Sequence, residues 1–150
     1  MRYLIDTNIF VYLATDPELL SSDVQAIIQD PDNSLCMSME SVKELVVAYR
    51  RKGLWAKRWH TPEDIIDSIK EEYFIDILPI HEEHMRTFAH LATNEAQGHT
   101  DPSDHIIISH ALTERMPLIS SDRLFAFYRK QGLDLIENKK KPVLPLCKSL

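Results

Sequence analysis

The sequence predicts an α/β fold of three layers, in which a central, mostly parallel five-stranded sheet is covered by helices on both faces. Two observations lead to this fold class. Short apolar runs rich in strand formers recur along the chain, and each is followed by a segment whose apolar residues have helical spacing. Proline, glycine, serine and acidic residues separate these segments. Alternating strands and helices favour a parallel sheet, because each helix returns the chain to the edge where the next strand begins.

The individual elements follow from local signals. We expect strands at 3–5, 34–37, 74–80, 117–120 and 133–136. We expect helices at 7–13, 17–28, 38–52, 62–69, 81–96, 102–112 and 123–130. Most of the helix starts carry a capping residue or a first-turn proline, and Gly53 and Gly132 follow two of the helix ends. The helix at 102–112 is nearly all apolar, so it should be deeply buried.

Length and composition limit the class of protein. The chain has 150 residues, of which 44% are hydrophobic and 27% charged, so we expect one folded domain over 1–150. No apolar run reaches the ~18 residues of a membrane span, and the start of the chain is a strand candidate instead of a signal peptide. Cys36 and Cys147 are far apart, which is typical of a reduced cytoplasmic protein. The net charge of −6 argues against a broad basic face for nucleic acid, although bound cations can still attract phosphate.

Four acidic residues fall at positions where a parallel sheet brings them together. Asp6 and Asp122 each follow a predicted strand, Asp104 starts the buried helix, and Glu44 lies inside an otherwise apolar helix body. Ligands bind at the carboxyl edge of such sheets, and oxygen ligands suit hard cations such as Mg²⁺ and Mn²⁺. One or two such ions would relieve the repulsion between carboxylates and activate water for phosphoryl displacement. Four polar residues are candidates to hydrogen-bond the carboxylates: Thr7, Asn8, Ser120 and Ser121.

Three motifs of the chain occur in the order and spacing of a known family. They are Leu-Ile-Asp-Thr-Asn at the start, Asp-Pro-Ser-Asp-His-Ile-Ile-Ile-Ser-His-Ala from Asp101, and Leu-Ile-Ser-Ser-Asp-Arg-Leu-Phe from Leu118. With an inner Glu44, the chain resembles the PIN-domain ribonucleases over residues 2 to about 136, and most of all the VapC toxins of toxin–antitoxin pairs. The resemblance implies a metal-dependent ribonuclease with an RNA substrate and a cognate antitoxin. It implies an acidic catalytic and metal site made of Asp6, Glu44, Asp104 and Asp122, with Asn8 in support.

Other residues have both a functional and a structural interpretation. His105 stands where many relatives have a basic or an apolar residue, which puts the substrate contacts in question. His99 and His105 flank the proposed site and could contact phosphate, or they could simply lie at the surface. The candidate substrate contacts are His105, Arg123, Arg50 and Arg51, and the basic cluster around Arg50 could equally be a solvated helix end. His81 and His84 share a helix face, but the sequence places no further zinc ligand beside them.

The connector and the tail suggest a contact between two copies of the chain. Apolar and aromatic residues in the connector and tail predict a homodimer interface: Leu54, Trp55, Trp59, Val143, Leu144 and Leu146.

Within the acidic motif, Pro102 at the first helical position makes Asp101 the N-cap and Asp104 the third helical residue. One Asp101 oxygen then accepts a backbone N–H, which leaves Asp104 as the expected metal ligand and gives Asp101 a supporting role.

Two further function classes compete with a nuclease. A phosphatase of the haloacid-dehalogenase type would use Asp6 as a nucleophile, but it wants a second Asp where Asn8 stands. A receiver domain would want adjacent acids after the first strand, where Asp6 is alone. A catalytically inert PIN-like binding module should have lost acidic residues, and all four are present.

Overall fold

A computed structural model describes residues 1–139 of the chain, and the sheet at its centre has the predicted character. The five strands are β1 (Arg2–Ile5), β2 (Ser34–Ser38), β3 (Asp76–Leu78), β4 (Leu118–Ser120) and β5 (Leu135–Glu137). They lie in the order β3-β2-β1-β4-β5, and every neighbouring pair is parallel. The predicted α/β fold with a parallel five-stranded sheet is therefore confirmed.

Within residues 1–139, six α-helices connect the strands. They are α1 (Thr7–Thr15), α2 (Ser22–Gln29), α3 (Met39–Arg50), α4 (Pro62–Asp67), α5 (Glu82–His90) and α6 (Pro102–Glu114). Segments of 3₁₀-helix lie at Pro17–Leu19, Glu95–Gln97 and Arg123–Gln131, and a π-helical turn lies at Ser68–Glu72. No helix in the described part of the chain is both long and apolar enough to cross a membrane.

The sheet has an apolar core on each face. Along β1 the side chain of Ile5 joins one core and that of Leu4 joins the other, and Ile119 and Leu118 of β4 alternate in the same way. Successive strand residues point to opposite faces, so a sheet covered on both sides reads as a continuous apolar run. On the Leu118 face, α6 contributes three residues with at most 1% exposure: Ile107, Ile108 and Ala111. The prediction that this helix is deeply buried is confirmed.

Three predicted elements have the wrong length. The predicted strand 74–80 is paired only over Asp76–Leu78, where β3 lies at the edge of the sheet beside β2. The chain enters β3 through Phe74, whose φ of 54° lies in the left-handed region and ends any extended run. The predicted helix 17–28 is broken at Leu20, which is extended. The predicted helix 81–96 stops at His90, and the Gln131 side chain then binds both the N–H and the C=O of Ala92.

The connector contributes less apolar surface than the sequence suggested. Leu54 and Trp59 are 6% and 2% exposed, and the Trp59 indole N–H donates to Ser68 Oγ at 2.8 Å. These two residues belong to the core, so the expectation that they form an exposed interface is wrong. Trp55 is 70% exposed and remains a candidate. Cys36 is buried and forms no disulfide within residues 1–139. The tail residues named above, Cys147, Val143, Leu144 and Leu146, lie outside the described residues.

Candidate active site

Asp6 lies at the junction of β1 and α1, and it is both the helix cap and a buried member of the site. Its Oδ1 accepts the N–H of Thr7 at 2.8 Å, and its Oδ2 accepts the Ser120 hydroxyl at 2.7 Å. The Ser120 oxygen in turn accepts the N–H of Asp122 at 3.0 Å, so the serine hydrogen is left for Asp6. Asp6 is 4% exposed, and its two oxygens are thereby held in one orientation.

Two other acids are positioned by helix starts. Asp101 is the N-cap of α6 and accepts the N–H of Ser103 at 3.0 Å, which makes Pro102 the first helical residue as predicted. Asp122 follows β4 and accepts the N–H of Leu124 at 2.9 Å, capping the helical segment that begins at Arg123. Capping commits one oxygen of each carboxylate to the backbone and leaves the other available to a ligand.

Glu44 and Asp104 complete the cluster from two different helices. The Thr7 hydroxyl donates to Glu44 Oε1 at 2.5 Å, which ties α3 to the first turn of α1. Oxygens of Glu44, Asp101 and Asp104 lie within 4.8 Å of one another, and so do ligand atoms of His99, Asp104 and Asp122. Asp104 belongs to both groups, so the two potential metal positions share it.

Burial and mutual repulsion raise the pKa of three of these acids. The pKa of Asp6 rises to about 7, chiefly because the carboxyl is buried and further because Asp104 and Asp122 are near, while the Ser120 and Thr7 hydrogen bonds oppose the rise. Burial also raises the pKa of Glu44 and of Asp104 to about 7, and neighbouring carboxylates add to both shifts. Near neutral pH such a cluster resists full ionisation unless a cation balances the charge. Its all-oxygen carboxylate donors fit a hard divalent cation.

The structure supports two of the four proposed supporting side chains. Thr7 and Ser120 donate to Glu44 and Asp6 as described. The Ser121 hydroxyl instead accepts from the Asn138 side chain at 2.9 Å, so it does not orient a carboxylate as expected. Asn8 is half-buried on the first turn of α1, and among residues 1–139 its side chain makes no hydrogen bond to a carboxylate.

The candidate substrate contacts separate into buried and exposed residues. His99 and His105 are 4% and 6% exposed, so the expectation that they lie at the surface is wrong, and the burial of His105 argues against contact with phosphate. Arg123 is exposed and directly follows Asp122. Arg50 and Arg51 are also exposed, but Arg50 lies six residues beyond Glu44, roughly 9 Å along the helix axis.

His99 and Tyr128 form a pair behind Asp104 that the sequence did not indicate. His99 Nε2 lies 2.9 Å from Asp104 Oδ2, and His99 Nδ1 lies 3.0 Å from the Tyr128 hydroxyl. Burial lowers the pKa of His99 and so favours the neutral ring, although Asp122 and Asp101 oppose this shift. Tyr128 lies 29 residues further along the chain, and no local pattern connects the two positions.

A histidine cluster on the other side of α6 is arranged for hydrogen bonding. His84, His110 and Glu114 place ligand atoms within 4.8 Å of one another. However, His84 Nδ1 accepts the backbone N–H of His81 at 2.8 Å, so the proton of the neutral ring is on Nε2 and faces Glu114 at 2.6 Å. A metal ion bound to His84 Nε2 would require the ring proton to be on Nδ1, where it would face the His81 N–H, which is also a donor. This geometry disfavours a zinc site there.

Comparison with known proteins gives three findings. A search of curated protein sequences found no significant match. Among solved structures, the chain is similar to VapBC2 from Rickettsia felis bound to a DNA fragment from its promoter, with a TM-score of 0.67 and 21% identity over 91% of this chain and 98% of that one. It is also similar to VapBC-1 from nontypeable Haemophilus influenzae, with a TM-score of 0.65 and 25% identity over 93% of this chain and 100% of that one.

A further similar structure is VapBC-5 from Mycobacterium tuberculosis, a member of the VapBC family of toxin–antitoxin systems. Its TM-score is 0.54, with 18% identity over 91% of this chain and 96% of that one. The third finding concerns the family: the model of the PIN domain matches residues 3–131. The resemblance inferred from the motifs is confirmed, and this chain belongs to the PIN domain family.

Proposed function

We propose that this protein is a metal-dependent endoribonuclease that hydrolyses RNA phosphodiester bonds and acts as the toxin of a toxin–antitoxin pair. The observation that carries the proposal is the convergence of Asp6, Glu44, Asp104 and Asp122 from four separate elements, three of them with a pKa near 7. Four converging carboxyls are costly to ionise together in a folded protein. A site that retains them is therefore suited to a divalent ion.

The four carboxylates, with Asp101 in support, are the residues we assign to one or two Mg²⁺ or Mn²⁺ ions. A bound divalent ion lowers the pKa of water and balances the charge that develops on a phosphate. The chain's own contribution is to hold the carboxylates in position. Ser120 and the Thr7 N–H orient Asp6, the Thr7 hydroxyl orients Glu44, and the helix caps orient Asp101 and Asp122.

Cationic groups at the rim are the candidates to bind the RNA backbone. Arg123 is exposed beside Asp122. Lys43, with 58% of its side chain exposed, pairs with Glu40 and donates to Ser103 at 3.3 Å, so it lies where α3 meets the start of α6. We assign phosphate contacts to these two residues first and to the more distant Arg50 and Arg51 second.

The proposed partners follow from the similar structures. VapBC-5 from Mycobacterium tuberculosis belongs to a family of toxin–antitoxin systems. We infer that this chain likewise binds a cognate antitoxin, and that it functions in the cytoplasm where its RNA substrate is found. We also propose a homodimer, for which Trp55, at 70% exposure, is the first interface residue to test.

A cleavage assay with matched acid variants tests the enzymatic proposal. Wild-type protein is incubated with mixed single-stranded RNA, and separately with single-stranded DNA, in Mg²⁺, in Mn²⁺ and in EDTA. We expect RNA cleavage that EDTA abolishes and that Asp6→Asn reduces at least about 100-fold, the equivalent of ~3 kcal/mol of lost metal stabilisation. Asp134→Asn is the control, because Asp134 is an exposed acid in the loop before β5.

Three outcomes would overturn part or all of the proposal. A wild-type protein that binds the ions without cutting either nucleic acid would instead be an inert PIN-like module. Equal rates for wild type and Asp6→Asn would remove the acidic cluster from the chemistry. Cleavage of DNA but not of RNA would assign the other substrate.

A further inference from the structure

A chain of hydrogen bonds with a defined direction ends on Asp104. It begins at the backbone N–H of Asn94, which can only donate, and which lies 3.2 Å from the Tyr128 hydroxyl oxygen. Within residues 1–139 the only other hydrogen-bond partner of that hydroxyl is His99 Nδ1, at 3.0 Å. Tyr128 has 0% exposure, so solvent does not compete. The phenol hydrogen is therefore directed to His99 Nδ1.

The tautomer of His99 follows from this direction. Because Nδ1 accepts a hydrogen, the proton of the neutral imidazole is on Nε2. Nε2 lies 2.9 Å from Asp104 Oδ2, so His99 donates to this carboxylate. One peptide N–H thus determines which nitrogen of a distant ring is protonated, and one Asp104 oxygen is engaged by that ring.

The His99 ring has little freedom to turn. Its exposure is 4%, it stacks on Phe125 with ring centroids 5.6 Å apart, and it meets the edge of His105 at 4.7 Å. The loop that carries it is closed by the His99 N–H, which donates to Asn94 C=O at 3.0 Å. Gly98 makes this closure with a φ of +68°, which other residues rarely adopt.

We propose that His99 is a positioning residue for Asp104, and that Tyr128 and the Asn94 N–H set its tautomer for this task. The inference rests on the proposed function, because it takes Asp104 as a metal ligand. His99 holds the carboxylate in one rotamer through Oδ2 and leaves Oδ1 for the ion. Groups that orient a metal-binding carboxylate in this way typically change ion affinity or activity by ~10–100-fold when they are removed.

The competing assignment makes His99 a direct metal ligand together with Asp104 and Asp122, since ligand atoms of the three lie within 4.8 Å. That assignment requires a free lone pair on Nε2 and a proton on Nδ1. The proton on Nδ1 would face the hydroxyl oxygen that already accepts from Asn94, and the phenol hydrogen would have no acceptor. The positioning role therefore places Asp104 Oδ1 next to the ion without a His99 nitrogen, whereas direct ligation places His99 Nε2 next to it.

Mn²⁺ binding separates the assignments without using catalysis. Full-length wild type, His99→Leu, His99→Gln and Tyr128→Phe are titrated with Mn²⁺, and the free ion is measured by electron paramagnetic resonance. We expect His99→Leu to weaken Mn²⁺ binding ~10–100-fold. We expect His99→Gln to restore part of the affinity, because its amide carries both a donor and an acceptor. Tyr128→Phe should weaken binding by a smaller factor, because the ring remains while the tautomer is no longer set.

Electron spin echo of the bound Mn²⁺ gives the second measurement. We expect no nitrogen coupling from the wild-type site, and strong coupling that disappears in His99→Gln would overturn the positioning role in favour of direct ligation. His90→Leu, at an exposed histidine at the end of α5, is the control and should bind as wild type does.

The outcomes also separate this inference from the proposed function. If wild type binds Mn²⁺ and cleaves RNA while all three variants match it in affinity and cleavage, the positioning role is wrong and the nuclease stands. If wild type binds Mn²⁺ but cleaves nothing, the nuclease proposal fails while the affinity series still decides the role of His99. If wild type binds no Mn²⁺, both fail. Melting curves of the variants confirm that each is folded at the temperature of the titration.

Discussion

Asp6→Asn should stabilise the metal-free protein at high pH and fail to do so at low pH. The pKa of Asp6 rises from its ordinary value of 3.8 to about 7 in the folded chain. Each tenfold change in a proton equilibrium equals about 1.4 kcal/mol, so ionising this 4%-exposed carboxyl costs the folded state up to ~4 kcal/mol. Between about pH 4 and pH 7 the folded chain binds more protons than the unfolded chain. This group therefore lowers stability as the pH rises through that window.

The amide removes the charge but loses part of the hydrogen bonding. Its single oxygen can accept from the Thr7 N–H or from the Ser120 hydroxyl, and losing the other bond costs about 1 kcal/mol. At pH 8 the variant should therefore be more stable than wild type by up to ~3 kcal/mol, or up to ~6–12 °C in melting temperature. At pH 3, where Asp6 is mostly protonated in both the folded and the unfolded chain, the variant should be ~1 kcal/mol less stable.

Urea unfolding in EDTA at pH 3 and pH 8 measures this reversal of sign. Repeating the experiment with a divalent ion adds a second check, because an ion at 100 times its Kd stabilises wild type by ~2.7 kcal/mol and should do little for the variant. If Asp6→Asn destabilises the protein equally at both pH values, ionised Asp6 does not destabilise the folded chain, and the raised pKa assigned to this residue is wrong.

Three further predictions concern the acidic motif, the core and self-association. Asp104→Asn should remove nearly all RNA cleavage, while Asp101→Asn should cost less because Asn also caps helices; cleavage rates and melting temperatures of both check this, and the reverse order would exchange their roles. Ile108→Ala should destabilise the protein by ~2–5 kcal/mol in urea unfolding, since Ile108 has 0% exposure, and a loss well under 1 kcal/mol would contradict its place in the core. Trp55→Ser should weaken dimerisation in light scattering, and a wild-type monomer at high concentration would argue against the dimer.

The sequence was sufficient for the layers of the fold and less so for the lengths of its elements. Alternating apolar runs and helical spacing depend on residues close in the chain, so they could be read directly. The length of a strand depends on how far its neighbour pairs with it and on the backbone that leads into it: β2 pairs with β3 over three residues, and Phe74 enters β3 in the left-handed region. The end of α5 is marked by the bonds of Gln131 to Ala92, two residues 39 positions apart.

The positions of the acids were also predictable in part. Asp6 and Asp122 end neighbouring parallel strands, so the topology brings them to one edge. The helix start at Pro102 was predictable from capping preferences, and with it the placement of Asp101 and Asp104. The contact of Glu44 with Thr7 depends on how α3 crosses α1, which no local pattern states.

The sequence by itself determined the order of strands and helices along the chain and the burial of both faces of the sheet. It also determined which acids lie at strand ends and helix caps. Only the tertiary structure decided the environment of those acids. It raises their pKa values by burial, and it orients Asp104 through the hydrogen bonds that run from Asn94 through Tyr128 and His99. The reason is physical. Helical and strand periodicity arise between near neighbours in the chain, whereas burial and directed hydrogen bonds arise between segments that meet only after the chain has folded.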